Sequence, residues 1–209
     1  MQSRSLKDQV YQGILNDILD GVYQPNTIIN EKQLVEQYKV SKTPVREALV
    51  QLCGERVLNN IPRFGYQIAM ITPSEMVEMV EYRTVIEVAA LEKSFYTLTE
   101  AQLEELRELN DYARTIVKTQ NPRQHWDTNE KFHKTLCSFA QNRFLQKSME
   151  DALKTCTRIA NQYFAQVWQE NQEEDGNHYK LVKALEERDF DRAKGILIGD
   201  IALIKEKVL

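Results

Sequence analysis

The stretch "VSKTPVREAL" at residues 40–49 constrains the fold most, because it sets the start of a helix and both of its faces. Pro44 suits the first turn of a helix, where its missing N–H would have no partner, and Ser41 or Thr43 can cap that turn. Apolar residues then follow at helical spacing on one side: Val45, Ala48, Leu49 and Leu52. The opposite side carries Lys42, Thr43, Arg46 and Val50. The cations therefore face outward, although a solvated amphipathic helix explains this segment alone equally well.

The segments around this helix predict a winged helix-turn-helix. A first amphipathic helix ends at Gly21, and "YQPNTII" after it is typical of a turn and a short extended piece. A second helix over about residues 31–38 is joined by the short step "YKVS" to the helix described above. The stretch "VLNNIPRFGYQIAMI" then alternates apolar and polar residues, which predicts a β-hairpin with its tip near Arg63 to Gly65. In such a unit one helix enters the major groove of DNA, and the hairpin tip contacts the backbone or the minor groove.

From Pro73 onward the sequence shows no further strand pattern and predicts an all-α bundle. Its six helices are expected at about 73–96, 99–118, 121–140, 143–170, 176–188 and 190–207. Thr99 with Gln102 forms a capping pair, and Asp189 or Asp191 can cap the last helix. We therefore expect a mainly α chain with a winged helix-turn-helix domain over residues 1–72 and a six-helix effector bundle over residues 73–209.

The charge distribution permits DNA binding without requiring it. The chain of 209 residues has a net charge of −4; residues 1–71 hold 8 Lys and Arg against 7 Asp and Glu, and residues 72–209 hold 19 against 24. The few cations of the first part must share one surface to bind DNA. No apolar run reaches the roughly 18 residues of a membrane span, and the start lacks a signal peptide. We expect a cytoplasmic protein with no membrane partner.

Two parts of the sequence resemble a known family of regulators. The segment from "LKDQVYQGIL" to "PRFGYQI", with "VSKTPVREAL" as its most specific part, resembles the winged-helix domain of the GntR superfamily of bacterial transcription regulators. The motifs "EYRTVIEVAALEKS", "NEKFHKTLCSFAQN" and "NHYKLVKALEERDFDRAKGIL" resemble the FCD effector domain of the FadR subfamily. Together these matches span nearly the whole chain. The resemblance implies a homodimer that binds a double-stranded DNA operator with a short inverted repeat.

The resemblance also implies which residues contact DNA. The positions that match contact sites of the family, together with the polar residues beside them, are Lys32, Ser41, Lys42, Thr43, Arg46, Arg63 and Gly65. Lys42 stands where Arg is usual, so a bidentate contact with guanine is replaced by a single flexible ammonium group. Arg56 stands where the family often has Gly, so we expect the recognition helix to end with a different cap.

Four polar residues of the bundle are expected to meet around a divalent metal. Asn129 and His133 lie four residues apart on one helix and share a face. His178 and Asp200 lie at similar distances from the turn that joins the last two helices, so they stand at nearly the same height. These positions match the FCD pattern of one Asp and three His that bind a metal. Here Asn129 replaces the Asp and Asp200 replaces the last His, a set that still suits zinc, nickel or manganese.

Other interpretations of these residues stay open. His133 and His178 could line an effector site without metal, or form hydrogen bonds in the core. A bound metal would leave positions for a small carboxylate effector, for which Arg83 is the expected partner and Arg158 a weaker one. Both arginines could instead form surface ion pairs. The aromatic residues expected to pack in the core are Tyr82, Tyr163, Phe164 and Trp168.

The function that follows is a ligand-responsive transcription regulator, with repression as the expected outcome. One alternative is a metal-independent regulator that senses acyl chains or organic acids. A metal-dependent enzyme is the less favoured alternative, because carboxylate and imidazole ligands in helical bundles also occur in oxygenases and hydrolases. The sequence shows no convincing nucleophile or general base beside the expected metal site, so we expect no enzymatic activity.

Overall fold

The computed structural model describes residues 5–117, 122–163 and 176–206, and the chain divides into two compact units, Met1–Ile71 and Thr72–Leu209. The elements of the first unit are α1 (Leu6–Leu19), β1 (Ile28–Ile29), α2 (Glu31–Tyr38), α3 (Lys42–Gly54), β2 (Leu58–Ile61) and β3 (Gly65–Ile68). Its three strands form an antiparallel sheet in the order β1-β3-β2. This is the winged helix-turn-helix that the sequence predicts, with the short extended piece after α1 paired as a third strand.

Helix α3 buries the face that its apolar spacing predicts. The side chains without solvent exposure are Val45, Ala48, Leu49 and Leu52. They pack in one core with residues of α1 and α2 such as Ile14 and Leu34. Ser41 precedes the first residue of the helix in an extended conformation, but its side chain makes no capping hydrogen bond. Packing of the apolar face therefore stabilises this helix more than its cap does.

The hairpin tip depends on a glycine that no other residue could replace without a shift of the backbone. Gly65 has φ of 127°, and a Cβ atom there would lie 2.5 Å from the carbonyl oxygen of Ile29 in β1. Arg63 also has a positive φ, of 71°, and the N–H of Phe64 donates to the carbonyl of Ile61 at 3.0 Å. The turn between β2 and β3 thus lies where the sequence predicts the wing tip, and strand β1 holds it by close backbone contact.

The prediction that α3 ends with a different cap is wrong, because Arg56 occupies the left-handed position of the usual cap. Helix α3 ends at Gly54, and Arg56 adopts the left-handed conformation with φ of 55°. The N–H of Arg56 donates to Cys53 O at 3.0 Å, and the N–H of Val57 donates to Leu52 O at 2.9 Å. This pair of bonds is the Schellman motif, in which glycine is usual at the left-handed position. The cap is the ordinary one, formed here by arginine at a conformational cost.

The second unit contains six α-helices among its described residues. They are α4 (Pro73–Ser94), α5 (Glu100–Val117), α6 (Pro122–Ser138), α7 (Arg143–Tyr163), α8 (Asn177–Glu186) and α9 (Phe190–Glu206). Thr72 and Glu75 form a capping box at the start of α4. The predicted pair of Thr99 and Gln102 exchanges capping hydrogen bonds at the start of α5. No helix of the described residues is long and apolar enough to cross a membrane.

Helix α4 organises the bundle, because it packs against α6, α7 and α9, while α8 packs against α5 and α9. Its buried stripe includes two charged residues, Arg83 and Glu87, among apolar neighbours such as Val80 and Ala90. The expectation that Tyr82 lies in the core is wrong, since this residue is 46% exposed on the outer side of α4. Tyr163 is half-buried at the end of α7. Phe164 and Trp168 lie outside the described residues.

Replacement of Arg56 by glycine is expected to stabilise the first unit. The left-handed conformation costs a non-glycine residue about 1–2 kcal/mol, and the greater freedom of glycine in the unfolded chain offsets roughly 0.4–1 kcal/mol of that gain. We expect Arg56→Gly to raise the free energy of unfolding by about 0.5–1 kcal/mol. Urea unfolding of the full chain, with hydrogen exchange at amides of α3 to locate the effect, measures it.

Glu47→Gly is the matched control, because Glu47 is an exposed residue within α3. A glycine inside a helix costs about 1 kcal/mol relative to good helix formers. The two glycine variants should therefore change stability in opposite directions, and a loss of stability in both would contradict the strain assigned to Arg56.

Candidate functional sites

The residues predicted to contact DNA lie at the surface of the first unit. Lys42, Thr43 and Arg46 project from the outer face of α3, opposite its buried apolar side. Lys32 on α2 and Arg63 at the turn between β2 and β3 are also exposed, and Ser41 is exposed just before α3. Gly65 is half-buried because β1 passes close to it. The outer surface of this unit therefore carries four cations on α2, α3 and the wing.

Arg46 is held by a carboxylate that the sequence analysis did not identify. Its Nε donates to Oε1 of Glu31, and its Nη2 donates to Oε2, both at 2.9 Å. The hydroxyl of Tyr66 in β3 donates to Oε1 of Glu31 at 3.5 Å, so this carboxylate joins the first residue of α2 to α3 and the wing. The hydrogen bonds from Arg46 lower the pKa of Glu31. Arg46 keeps the N–H groups of Nη1 for other partners, while its inner edge stays fixed.

The wing tip presents one apolar side chain beside its cation. Phe64 is 71% exposed between Arg63 and Gly65, and both of these neighbours have a positive φ. Proteins that bind the minor groove often combine cations with exposed apolar residues. Phe64 was not among the predicted contacts, because the sequence pattern shows that a residue lies at a turn but not how far its side chain projects.

Three of the four predicted metal ligands meet at one point in the bundle. The groups are His133 on α6, His178 on α8 and Asp200 on α9, and one ligand atom from each lies within 4.8 Å of the other two. Oδ2 of Asp200 is 3.1 Å from Nε2 of His133 and 3.4 Å from Nε2 of His178. The two Nε2 atoms are 3.2 Å apart. This group could hold a divalent metal.

Asn129 supplies a test of whether the site fits a metal. Its Oδ1 atom is buried and has no hydrogen-bond partner among the described residues. A buried amide oxygen without a partner is costly, and its position one helical turn before His133 puts it on the same face of α6. Two imidazoles, one carboxylate and one amide oxygen are donors that zinc, nickel and manganese accept. The residues present therefore fit a divalent metal.

The ring of His178 is held flat against an aromatic neighbour. Phe132 and His178 stack with ring centroids 4.0 Å apart and planes 7° apart, and His133 meets His178 edge-on at 5.0 Å.

Glu130 forms a Glu-x-x-His pair with His133 in the sequence. Its carboxylate instead accepts from the Trp126 indole N–H at 3.0 Å and from the Thr157 hydroxyl. Within the described residues, Asp200 thus supplies the carboxylate with which the histidine cluster could hold a metal.

Arg83 is buried, so the alternative of a surface ion pair is wrong for this residue. It is 1% exposed, its Nε donates to Oε1 of Glu87 at 2.8 Å, and its Nη2 lies 2.7 Å from the same oxygen without a directional hydrogen bond. In the described parts of the chain, its Nη1 makes only a long contact of 3.9 Å with Sγ of Cys156. The outer nitrogens of the guanidinium therefore retain unused N–H groups. Arg158, the weaker effector residue of the sequence analysis, lies half-buried on α7.

Glu87 continues from Arg83 to the histidine cluster. Its Oε2 atom is 2.6 Å from Nδ1 of His133, and both side chains are almost fully buried. Burial opposes ionisation of Glu87, but Arg83 and His133 outweigh it and lower its pKa. Burial likewise opposes the cationic form of His133, but Glu87 and Asp200 outweigh it and raise its pKa. The pKa of Asp200 is lowered well below its ordinary value despite burial, because His178 and His133 lie beside it.

The charged groups that the sequence analysis missed are Glu31 and Glu87. Glu31 lies 15 residues from Arg46, a distance at which no local pattern reports contact. A signal did exist for Glu87. With Arg83 it falls on the same helical stripe as Met76, Val80 and Ala90, and such spacing places both charges inside the bundle. A buried Arg and Glu one turn apart would then have predicted a charged core beside the expected ligands.

Each of the two units matches a known protein family. The model of the bacterial regulatory proteins of the gntR family matches residues 6–68, and the FCD domain model matches residues 78–201. The HTH-type transcriptional regulator YdhC of Bacillus subtilis strain 168 is 31% identical over 160 residues, which cover 73% of this chain and 70% of that protein.

Two further similarities extend over nearly the whole chain. The HTH-type transcriptional repressor RspR of Escherichia coli K12 is 22% identical over 206 residues, which cover 99% of this chain and 90% of that protein. The solved structure of E. coli McbR/YncC shares the fold with a TM-score of 0.80 at 21% identity, covering 99% of this chain and 100% of that one. The chain belongs to the GntR family of bacterial DNA-binding transcription regulators, in the FadR-like subfamily whose helical part is an FCD domain, and it is not an enzyme.

Proposed function

We propose that this regulator is a repressor whose bundle binds a small carboxylate effector through a divalent metal. The observation that carries the proposal is the convergence of His133, His178 and Asp200, whose ligand atoms lie within 4.8 Å of one another. Oδ1 of Asn129 lies on the same helix face as His133 and finds no hydrogen-bond partner in the described segments, which supports Asn129 as a fourth, weaker ligand. RspR, a relative over nearly the full chain, is named a repressor, which supports the direction of control.

His133, His178 and Asp200 would hold the metal with three ligands, and a metal bound in this way would act as a Lewis acid toward carboxylate oxygens. Arg83 supports the choice of an anionic effector, because its outer nitrogens keep unused donors in a buried setting. Guanidinium groups bind carboxylates through paired hydrogen bonds. Glu87 holds only the inner side of this guanidinium. Arg83 is thus the proposed partner of the effector's negative charge.

We propose that a homodimer presents two copies of α3 to an operator with an inverted repeat. The exposed residues assigned to DNA contact are Lys32, Ser41, Lys42, Thr43, Arg46 and Arg63, with Gly65 shaping the wing tip. Two half-sites about one helical turn apart suit a two-fold dimer of this kind. Effector binding would favour a state in which the two heads fit those half-sites less well, because a ligand shifts an equilibrium only by its differential affinity.

Zinc binding tests the metal site. After treatment with a chelator, the wild-type protein should bind zinc in isothermal titration calorimetry at one ion per chain. His178→Ala should lose more affinity than the roughly 10- to 100-fold that loss of an outer-shell partner costs, because a ligand itself is removed. His125→Ala, which removes a histidine of α6 outside the cluster, is the control and should bind like the wild type.

The same proteins test the response to a carboxylate. Malonate serves as the probe, and it should weaken operator binding by the zinc-loaded wild type but not by His178→Ala. A wild type that binds no zinc, yet releases DNA with malonate, would support the metal-independent regulator instead. A wild type that neither binds zinc nor responds to malonate would contradict both the metal site and the carboxylate effector, and only the family's DNA-binding function would stand.

Arg46 tests the DNA-contacting surface. A single good base contact is worth roughly 1–3 kcal/mol of discrimination, so Arg46→Ala should lower the preference for operator over random duplex by about 5- to 150-fold. The operator is the duplex that the wild type selects from a random library, and fluorescence anisotropy measures both affinities at several salt concentrations. Arg56→Gly removes a cation of the same unit outside the proposed surface, and it should keep the preference. An unchanged preference in Arg46→Ala would show that α3 is not the recognition helix.

A further inference from the structure

A buried chain of three side chains runs from α4 into the histidine cluster. Arg83 Nε donates to Oε1 of Glu87 at 2.8 Å, and Oε2 of Glu87 is 2.6 Å from Nδ1 of His133. On the other side of the same ring, Nε2 of His133 faces Asp200 at 3.1 Å and His178 at 3.2 Å. All three members of the chain are almost fully buried. Glu87 therefore contacts the one ring nitrogen of His133 that does not face the cluster.

We propose that Glu87 is a positioning residue that fixes the proton of His133 on Nδ1 and so reserves Nε2 for a metal. This inference rests on the metal site proposed above. An imidazole binds a metal through the nitrogen that carries no proton, and the hydrogen bond of the other nitrogen decides which one that is. An ionised carboxylate can only accept, so the hydrogen between Nδ1 and Oε2 must belong to His133.

Arg83 makes the acceptor role of Glu87 compulsory. A guanidinium has only N–H donors, so any group that pairs with its Nε must present an acceptor there. Oε1 of Glu87 takes that place, and Oε2 of the same carboxylate accepts from His133. The ionised carboxylate satisfies both neighbours at once. Because Arg83 on α4 keeps Glu87 in the role of acceptor, Nδ1 of His133 on α6 must be the donor in its contact with Oε2.

Glu87→Gln separates this role from a merely structural one, because glutamine keeps the shape but has one acceptor and one donor end. Arg83 requires the amide oxygen at its Nε, which turns the amide NH₂ toward Nδ1 of His133. The ring must then accept at Nδ1 and carry its proton on Nε2, the nitrogen that the metal needs. We expect zinc affinity to fall by about 10- to 100-fold, the loss usual for an outer-shell partner of a metal-bound histidine.

Glu130→Gln is the matched control, because Glu130 is a partly buried carboxylate of the same bundle whose side chain pairs with Trp126, Thr157 and Lys134 rather than with His133. It undergoes the same chemical change and should bind zinc like the wild type. Calorimetric titration of the chelator-treated full-length proteins measures all affinities, and circular dichroism checks that each variant keeps its helices. Equal zinc affinity in Glu87→Gln and the wild type would overturn the proposal.

A second variant tests the part played by Arg83. In Arg83→Met/Glu87→Gln the amide is no longer oriented by a guanidinium, so it can turn and accept from Nδ1–H of His133. Replacement of buried ionic partners by apolar residues of similar volume is often tolerated by the fold. We expect the double variant to bind zinc more tightly than Glu87→Gln alone. A folded double variant that binds no better would overturn the orienting role of Arg83.

Nitrogen NMR of histidine-labelled protein tests Glu87 without any metal. In chelator-treated protein, Nδ1 of His133 should be protonated in the wild type and in Glu130→Gln, but unprotonated in Glu87→Gln. Failure of the wild type to bind zinc would contradict the proposed metal site. The NMR result would still show whether Glu87 fixes the proton of His133 on Nδ1. A protonated Nδ1 in Glu87→Gln would overturn the positioning role even where zinc binding falls.

Discussion

The bundle depends on a carboxylate that has almost no contact with water. Glu87 is 3% exposed, and transfer of a carboxylate into a protein interior costs several kcal/mol unless cations and donors surround it. Arg83 on α4 and His133 on α6 supply them, so α4 and α6 must meet at this height. Loss of one partner of such a buried pair typically costs about 3–5 kcal/mol. The same constraint places Nε2 of His133 against Asp200 and His178, so the charge balance of the core also builds the cluster.

The Arg83–Glu87 pair is buried and the Arg46–Glu31 pair is exposed, and this difference decides how far each arginine can contact other groups. Arg83 is enclosed, and its contact with Glu87 fixes both side chains in one arrangement. Arg46 is 63% exposed and meets Glu31 through two hydrogen bonds at the surface, where solvent weakens the attraction. An exposed pair restrains a side chain while leaving its outer donors accessible. A restrained but accessible guanidinium is suited to contact with the edge of a base or with phosphate, because less rotational freedom is lost on binding.

Two arginines of this protein occupy backbone positions after helices at which glycine is usual. Arg56 and Arg188 both adopt left-handed conformations directly after helices, at φ of 55° and 56°. After α8, the N–H of Arg188 donates to Leu185 O at 3.2 Å, and the N–H of Asp189 donates to Ala184 O at 3.0 Å, as at the end of α3. The guanidinium of Arg188 then donates to the carbonyls of Phe95 and Leu98. The turn of the chain thus uses arginine where its side chain can also hold a neighbouring segment.

The sequence alone determined the helices, the hairpin and the outward face of α3, because helical and strand periodicities are local and each is repeated over several residues. The same periodicity aligned Asn129 with His133, and the resemblance to the FCD pattern paired them with His178 and Asp200. Only the tertiary structure decided that Glu87 on α4 contacts His133 on α6, that Glu31 holds Arg46, and that Tyr82 faces outward. These contacts join residues of different helices, or depend on which side of a helix a neighbour covers, and no pattern within one helix contains that information.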